Sequence, residues 1–103
     1  MRRGEIWLVD LGKGTGSEQG GVRPCVIVQN DMGNKHSPTT IICPITSKQK
    51  AMLPTHVKIY NLTLPSIILC EQVMLVDKGK LLYLITEIDM KKIDVALKVS
   101  LAL

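Results

Sequence analysis

The sequence predicts a mainly β protein with one C-terminal α-helix, folded as a small barrel against which the helix packs. Three observations support this class. Short segments rich in Val and Ile recur along the first 85 residues, with turn residues between them. The hydrophobic period then changes to that of a helix near residue 87. A length of 103 residues is typical of a single domain, here 1–103, without repeats or linkers.

Each element follows from local chemistry. Strands are predicted at 4–11, 22–30, 39–47, 55–60 and 66–74, and residues 80–85 form either a sixth strand or the lead into the next element. Pro44 is expected at a sheet edge or a bulge, because proline has no N–H for a strand ladder. The glycine-rich segment 12–21 and the segment 31–38 are predicted loops.

A single helix is predicted at 87–101. Thr86 followed by Asp89 resembles a capping pair at its start. Apolar residues then fall on one face at helical spacing, namely Met90, Ile93, Leu97 and Leu101.

The composition is that of an ordinary folded protein, with 46% hydrophobic and 21% charged residues. A net charge of +4 is compatible with a polyanion or an acidic protein as partner. No segment reaches the ~18 uncharged apolar residues of a membrane span. Glu5 and Asp10 interrupt the apolar stretch that a signal peptide requires. We therefore expect a soluble cytoplasmic protein that does not contact membranes.

Cysteine usage indicates neither disulfides nor a metal site. Cys25, Cys43 and Cys70 are odd in number, lack C-x-x-C spacing and lie in apolar runs. Buried free thiols are the expected state. With only two histidines elsewhere in the chain, no metal or cofactor is expected.

The glycine-rich loop does not match the common phosphate-binding motifs. A P-loop and a dinucleotide fingerprint each open a helix, whereas this loop leads into an apolar strand. Gly14 and Gly16 fit the start of the fingerprint, but Gln19 occupies the place of its third glycine. No hydrolase motif and no pair of catalytic carboxylates is present either.

Polar side chains at strand ends are the remaining candidates for chemistry. Arg23 opens the second predicted strand, Thr46 and Ser47 close the third, and Glu71 and Gln72 lie late in the fifth. Arginine binds phosphate bidentately, and hydroxyl and amide groups can contact phosphates and bases. Each also has a plain structural interpretation: a solvated arginine, turn residues, and a glycine loop that only closes a hairpin.

Several segments, in order along nearly the whole chain, resemble the MazF/PemK/Kid family of bacterial toxins. They are RGEIWLVDL, GSEQGGVRPCVIVQND, SPTTIICPIT, LPTHV, SIILCEQ and DVALKVSLAL. The resemblance implies an SH3-like or CcdB-like barrel and a homodimer. It implies the toxin of a type II toxin–antitoxin system, a metal-independent endoribonuclease that cuts single-stranded RNA at a short sequence. The products would be a 2′,3′-cyclic phosphate and a 5′-hydroxyl. The implied partner is an antitoxin with an acidic, disordered tail, and any DNA contact would be made only through that antitoxin.

The resemblance also assigns roles to individual residues. Arg23 matches the catalytic arginine of the family and Thr46 its catalytic threonine. Arg23 would stabilise charge on the phosphoryl oxygens, and Thr46 would orient the scissile phosphate. Positions that match the loop bordering the RNA groove, or RNA contacts in relatives, are Ser17, Glu18, Gln19, Asn30 and Gln72.

The chain departs from the family pattern at two positions. Met74 stands where many relatives have an arginine, and Ser17 where some have a histidine. Two alternatives therefore stay open: a catalytically weakened relative, and a toxin on the same barrel that binds a protein, as the gyrase poison CcdB does. The latter uses a tryptophan near its C-terminus, whereas the only tryptophan here is Trp7. With only three aromatic side chains in the chain, base recognition is expected to depend on hydrogen bonds and backbone contacts.

Overall fold

The computed structural model describes residues 1–103 and contains one antiparallel sheet of seven strands. The strands are β1 (Glu5–Asp10), β2 (Val22–Ile27), β3 (Thr39–Thr46), β4 (His56–Ile59), β5 (Ser66–Leu69), β6 (Met74–Asp77) and β7 (Leu81–Glu87), and the helices are α1 (Asp31–His36) and α2 (Lys91–Leu101). The strand order is β4-β5-β3-β2-β1-β7, with β6 paired to β3. The predicted class, mainly β with a C-terminal helix, is confirmed, but the sheet does not close into a barrel because its end strands β4 and β7 are not paired.

Two apolar cores lie on opposite faces of the sheet. The first core includes Val26, Cys43, Ile45, Ile68 and Ala96, and α2 covers it. The second core consists of Val9, Cys25, Ile27 and Ile42. Because successive residues of a strand point to opposite faces, β2 supplies side chains to both cores. This double burial explains why residues 24–28 are a continuous apolar run rather than an alternation.

The C-terminal helix is shorter than predicted. Thr86 belongs to β7, where it pairs with Ile6, so the predicted capping pair of Thr86 and Asp89 is wrong. The helix begins at Lys91 after Met90, which provides no side-chain cap. Burial of Ile93 and Ala96 in the first core holds the helix instead. Neither α2, with eleven residues, nor α1, with six, could cross a lipid bilayer.

The predicted strand 66–74 is two strands separated by a turn. β5 ends at Leu69, residues Cys70–Gln72 form a 3-10 turn, and β6 begins at Met74. The break redirects the chain, since β5 pairs with the end of β3 and β6 with its beginning. Gln72 and Met74 therefore do not share a strand face, contrary to the prediction from a continuous strand. The sequence pattern did not show this break, because apolar residues flank Glu71 and Gln72 on both sides.

A short helix occupies part of the segment predicted as a loop. The Asn30 side chain caps α1 by accepting a hydrogen bond from the N–H of Gly33 at 2.8 Å. Asn34 is buried and its side-chain oxygen accepts a bond from the Thr40 hydroxyl at 2.7 Å, which ties α1 to β3. Turn-forming residues thus form a helix here because of the cap and a tertiary contact that local propensity does not reveal.

Pro44 lies inside a central strand and not at a sheet edge. It pairs with Cys25 on one side. On the other side, the partner of β3 changes from β6 at residues 39–42 to β5 at residues 45–46. Pro44, which has no N–H to donate, therefore lies where the hydrogen-bond ladder on that side of β3 is interrupted. This interruption accommodates the proline in place of the predicted edge or bulge.

Candidate active site between β2 and β3

A cavity of about 290 Å³ opens where β2 begins and β3 ends. Its lining residues are Val22, Arg23, Pro24, Ile45, Thr46, Ser47, Lys48 and Ser66. Two cationic side chains, Arg23 and Lys48, line this cavity, and no carboxylate lines it. The predicted catalytic residues, Arg23 and Thr46, are thus brought into one site. The cavity is suited to an anion such as a phosphodiester.

The sheet register explains why these two residues meet. Cys25 of β2 lies opposite Pro44 of β3, and the pairs that follow keep the same register. Continuing that register by two residues places Arg23 opposite Thr46. Side chains directly opposite in an antiparallel pair lie on the same face, with Cβ atoms about 4.5–5.5 Å apart. Arg23 and Thr46 are therefore both held by strands of the sheet.

Arg23 is held by one nitrogen and free at the others. Its Nε donates a hydrogen bond to the carbonyl oxygen of Gly20 at 2.9 Å. No carboxylate pairs with its guanidinium, and its terminal amino groups make no hydrogen bond within the chain. The anchored Nε orients the group, and the two terminal amino groups stay available for a bidentate contact with phosphate oxygens.

Thr46 presents a hydroxyl whose proton is uncommitted. The residue is buried, and its Oγ1 accepts a hydrogen bond from the backbone N–H of Lys48 at 3.2 Å. A hydroxyl that already accepts one bond can still donate its own hydrogen. Thr46 can therefore donate to a phosphate oxygen bound by Arg23.

The glycine-rich loop before Arg23 is folded back on itself. The N–H of Gly21 bonds to the carbonyl of Gly12 at 2.6 Å. A side chain at Gly14 would overlap the carbonyl oxygen of Glu18, and one at Gly20 would overlap the backbone of Gly14. The loop thus requires glycine at these two positions for close backbone approach.

Gln72 fastens this loop to the body of the protein. Its Oε1 accepts a hydrogen bond from the N–H of Gln19 at 2.9 Å, and its Nε2 donates one to the carbonyl of Ser17 at 3.2 Å. Both ends of the amide are therefore occupied by the loop backbone. In this structure Gln72 acts on the site by positioning the loop, and its predicted contact with RNA stays a prediction.

Replacing Gln72 with leucine is expected to lower the rate of RNA cleavage about tenfold. The loop would lose two hydrogen bonds, each with a net contribution to stability of about 0.5–1.5 kcal/mol. Gln72→Glu keeps the acceptor for Gln19 but not the donor for Ser17, so it should retain an intermediate rate. The measurement is cleavage rate together with hydrogen exchange at the Gln19 amide. Unchanged exchange with a raised KM would instead indicate a direct RNA contact.

The other predicted RNA contacts are not grouped with the cavity. Ser17 and Glu18 are exposed in the loop. Asn30 follows the opposite end of β2, roughly 23 Å from Arg23 for seven extended residues at 3.3 Å each, and its side chain caps α1. The structure therefore groups Arg23 and Thr46 closely, connects Gln19 and Gln72 to them through the loop, and separates Asn30.

Two lining residues were missed from the sequence. Lys48 follows the predicted strand 39–47, and Ser66 begins the predicted strand 66–74, so neither stands out in the sequence as a site residue. The spacing of two residues between Thr46 and Lys48 could have indicated a shared face for Lys48. Nothing local could have identified Ser66, since it reaches the cavity through the pairing of β5 with β3.

Glu71 does not join the cavity, although it was predicted beside Gln72. Its Oε2 lies 2.8 Å from Nε2 of His56, and its Oε1 accepts a bond from the Thr55 hydroxyl. Partial burial raises the pKa of Glu71, but the hydrogen bonds from His56, from its own backbone and from Thr55 outweigh it and lower the pKa below the usual value. This pair anchors β4 to the turn after β5.

The cysteines are buried and free, as predicted. Cys25 neighbours the cavity in sequence, and burial raises the pKa of its thiol to about 12, although Arg23 acts in the opposite direction. A thiol with such a pKa remains protonated near neutral pH and is a poor nucleophile. No group of three or more His, Cys, Asp or Glu side chains is placed to hold a metal ion.

An apolar surface adjoins the cavity. Leu82, Tyr83, Leu84 and Ile85 of β7 are all exposed, although strand residues normally bury one face. Tyr83, Leu84 and Ile85 line a second cavity of about 570 Å³ that shares Ser66 with the first. We call these four residues of β7 the β7 surface.

The chain matches the family model described as "PemK-like, MazF-like toxin of type II toxin-antitoxin system" over residues 2–101. It is 49% identical to the Endoribonuclease EndoA of Bacillus subtilis, with 100% of this chain and 96% of that protein covered. Identity to the Endoribonuclease MazF of Staphylococcus saprophyticus is 48%, with 100% and 92% covered. Among solved structures, it resembles a mycobacterial endoribonuclease in complex with its cognate antitoxin, with TM-score 0.84, 25% identity, and 100% and 96% coverage.

Proposed function

Because this chain belongs to the PemK-like, MazF-like toxin family of type II toxin–antitoxin systems, we propose that it is an endoribonuclease that cleaves single-stranded RNA in the cavity between β2 and β3. The observation that carries the site assignment is that Arg23 and Thr46, which the continued register of β2 and β3 places opposite each other, line one cavity together with a second cation, Lys48. Cleavage of messenger RNA would stop translation and growth, and would take place in the cytoplasm.

The proposed reaction is a transesterification. The ribose 2′-oxygen attacks the adjacent phosphorus, and the bond from phosphorus to the 5′-oxygen of the next nucleotide breaks. The 2′-hydroxyl gives up its proton and the leaving 5′-oxygen takes one up. The products are a 2′,3′-cyclic phosphate and a 5′-hydroxyl, without net consumption of water or metal.

Arg23 stabilises the negative charge that develops on the phosphoryl oxygens. Its terminal amino groups are free, and its Nε bond to Gly20 holds the guanidinium in place before RNA arrives. Such preorganised donors contribute about 2.7–4 kcal/mol each in comparable oxyanion sites. Thr46 orients the phosphate through its hydroxyl. With no carboxylate or histidine lining the cavity, solvent is the proposed acceptor for the 2′-hydroxyl proton.

The test is the chemistry of the RNA ends. Purified protein incubated with a long RNA should yield discrete fragments, equally with and without EDTA. A kinase that phosphorylates only 5′-hydroxyl ends should label the fragments directly. Fragments that carry 5′-phosphates, or intact RNA under all conditions, would contradict the proposal. Mapping the labelled ends identifies the cleavage sequence.

The structure disfavours both alternatives. Trp7 donates its Nε1–H to Glu5 and packs against the second core, so it is not a free side chain for docking a protein target. Arg23 and Thr46 both line the cavity, and Met74 is not among its lining residues. The weakened-relative alternative thus has no support from the cavity itself.

We further propose a homodimer that uses the β7 surface. β7 ends the sheet, so its outer edge has no strand partner, and its apolar side chains are exposed. A second copy seated there would bury these residues and border the catalytic cavity. Sedimentation at micromolar concentration should give a dimer, and Leu84→Lys should shift it toward monomer. A wild-type monomer near 11.4 kDa would refute the dimer.

The proposed protein partner is an antitoxin whose acidic, disordered segment covers the RNA groove. The cavity is lined by cations without carboxylates, so an acidic peptide and RNA would compete for it. Binding should weaken as salt is added. We expect a complex with the antitoxin to lose RNA cleavage, and any DNA binding to come from the antitoxin alone. Full cleavage by a saturated complex would contradict this arrangement.

A further inference from the structure

The catalytic cavity is one end of a longer basic surface. Thr46 pairs with Ile67 of β5, and Ile67 pairs with Lys58 of β4. Arg23 lies opposite Thr46 on β2, so four neighbouring strands place one side chain each in a single cross-strand row. Residues directly opposite in antiparallel strands point to the same face. Arg23, Thr46 and Lys58 therefore lie on the same face of the sheet.

The residues of this row lie close to one another. Adjacent strands are about 4.8 Å apart, so the Cα atoms of Thr46 and Lys58, two strands apart, are separated by roughly 10 Å. Lys58 is exposed, while its neighbours Val57 and Ile59 point into the first core. The alternation of β4 thus directs the lysine to the face that bears Arg23.

A small cavity continues from this row. Lys48, a lining residue of the catalytic cavity, also lines a third cavity, of about 70 Å³, with Lys58 and Tyr60. No acidic residue lines this third cavity, and neither lysine forms an ion pair. Tyr60 is 72% exposed and its hydroxyl has no hydrogen-bond partner in the chain. Cations without counter-charges therefore run from the catalytic cavity to an exposed aromatic ring.

We propose that Lys48, Lys58 and Tyr60 form a subsite for the single-stranded RNA that flanks the scissile phosphate, in which the lysines contact phosphates and Tyr60 stacks on one base. The proposal rests on the endoribonuclease function and deepens it. Single-strand binding sites combine a basic groove with aromatic stacking, and this surface provides both. Its continuity with Arg23 allows one strand to occupy both parts at once.

The experiment uses a fluorescein-labelled RNA that carries the mapped cut site, with a 2′-deoxy sugar at the cut so that it binds without being cleaved. Tyr60→Ala should weaken its binding by about 5- to 150-fold, the range for loss of one stacked base, and Tyr60→Phe should bind like wild type. Lys58→Met should reduce the slope of log affinity against log salt by about 0.7, one single-strand phosphate contact. Lys35→Met is the matched control, since Lys35 is exposed on α1 at the other end of β3.

Two controls separate the subsite from the function itself. RNA trimmed on the flank that occupies the subsite should be cleaved by Lys58→Met and wild type at equal rates. If wild type cleaves RNA but Tyr60→Ala and Lys58→Met bind the full RNA like wild type, the subsite is refuted while the function stands. If wild type does not cleave RNA, the function itself fails. If these variants lose only antitoxin binding, the surface belongs to the protein partner and the RNA subsite is wrong.

Discussion

Replacing Arg23 with alanine is expected to reduce the rate of RNA cleavage by about 100-fold or more, the effect of removing one transition-state donor. The terminal amino groups of Arg23 are the free cationic donors of the site on β2. The measurement is the cleavage rate of a defined RNA under single-turnover conditions, with the fold checked by thermal melting. A folded Arg23→Ala protein that cleaves at the wild-type rate would place the reaction elsewhere.

Two further variants separate charge from loop positioning. Arg23→Lys keeps a positive charge but loses the bidentate fork, so it should recover only part of the rate. The alanine variant also removes the Nε bond to Gly20. Comparison with Gln72→Leu, which loosens the loop but leaves the guanidinium, shows how much of the loss is due to the loop. Thr46→Ala should also lower the rate, but less than Arg23→Ala.

The second large effect is that of Met74→Arg, which should destabilise the fold. Met74 is half-buried, pairs with Ile42 and packs against the second core. An unpaired polar group in such a position costs about 1–3 kcal/mol. At about 4–8 °C of Tm per kcal/mol for a domain of this size, the melting temperature should fall by roughly 5–20 °C. Thermal melting at a fixed protein concentration measures it.

Leu75→Arg is the matched control, because Leu75 is the next residue of β6 and is 65% exposed. Its melting temperature should stay near that of wild type. If Met74→Arg melts like wild type and cleaves RNA faster, position 74 faces the RNA groove. That result would fit a continuous strand in which Gln72 and Met74 share a face. The turn at Cys70–Gln72 argues against that outcome.

The sequence by itself determined the class of fold, and it predicted Arg23 and Thr46 as the catalytic pair. The apolar runs in β1, β2 and β3 identified these strands, because runs rich in Val and Ile can be read directly from the local sequence. Arg23 and Thr46 were identified through the resemblance of the segments around them. The free, buried state of the three cysteines also followed from their apolar surroundings.

The tertiary structure alone decided how these pieces meet. The register of β2 against β3 places Arg23 opposite Thr46, and that of β4 and β5 adds Lys58 to the same face. The break after Leu69 and the helix α1 depend on contacts between distant residues, such as that between Asn34 and Thr40. Strand register and turns between apolar segments are settled by long-range packing, which local sequence patterns do not encode.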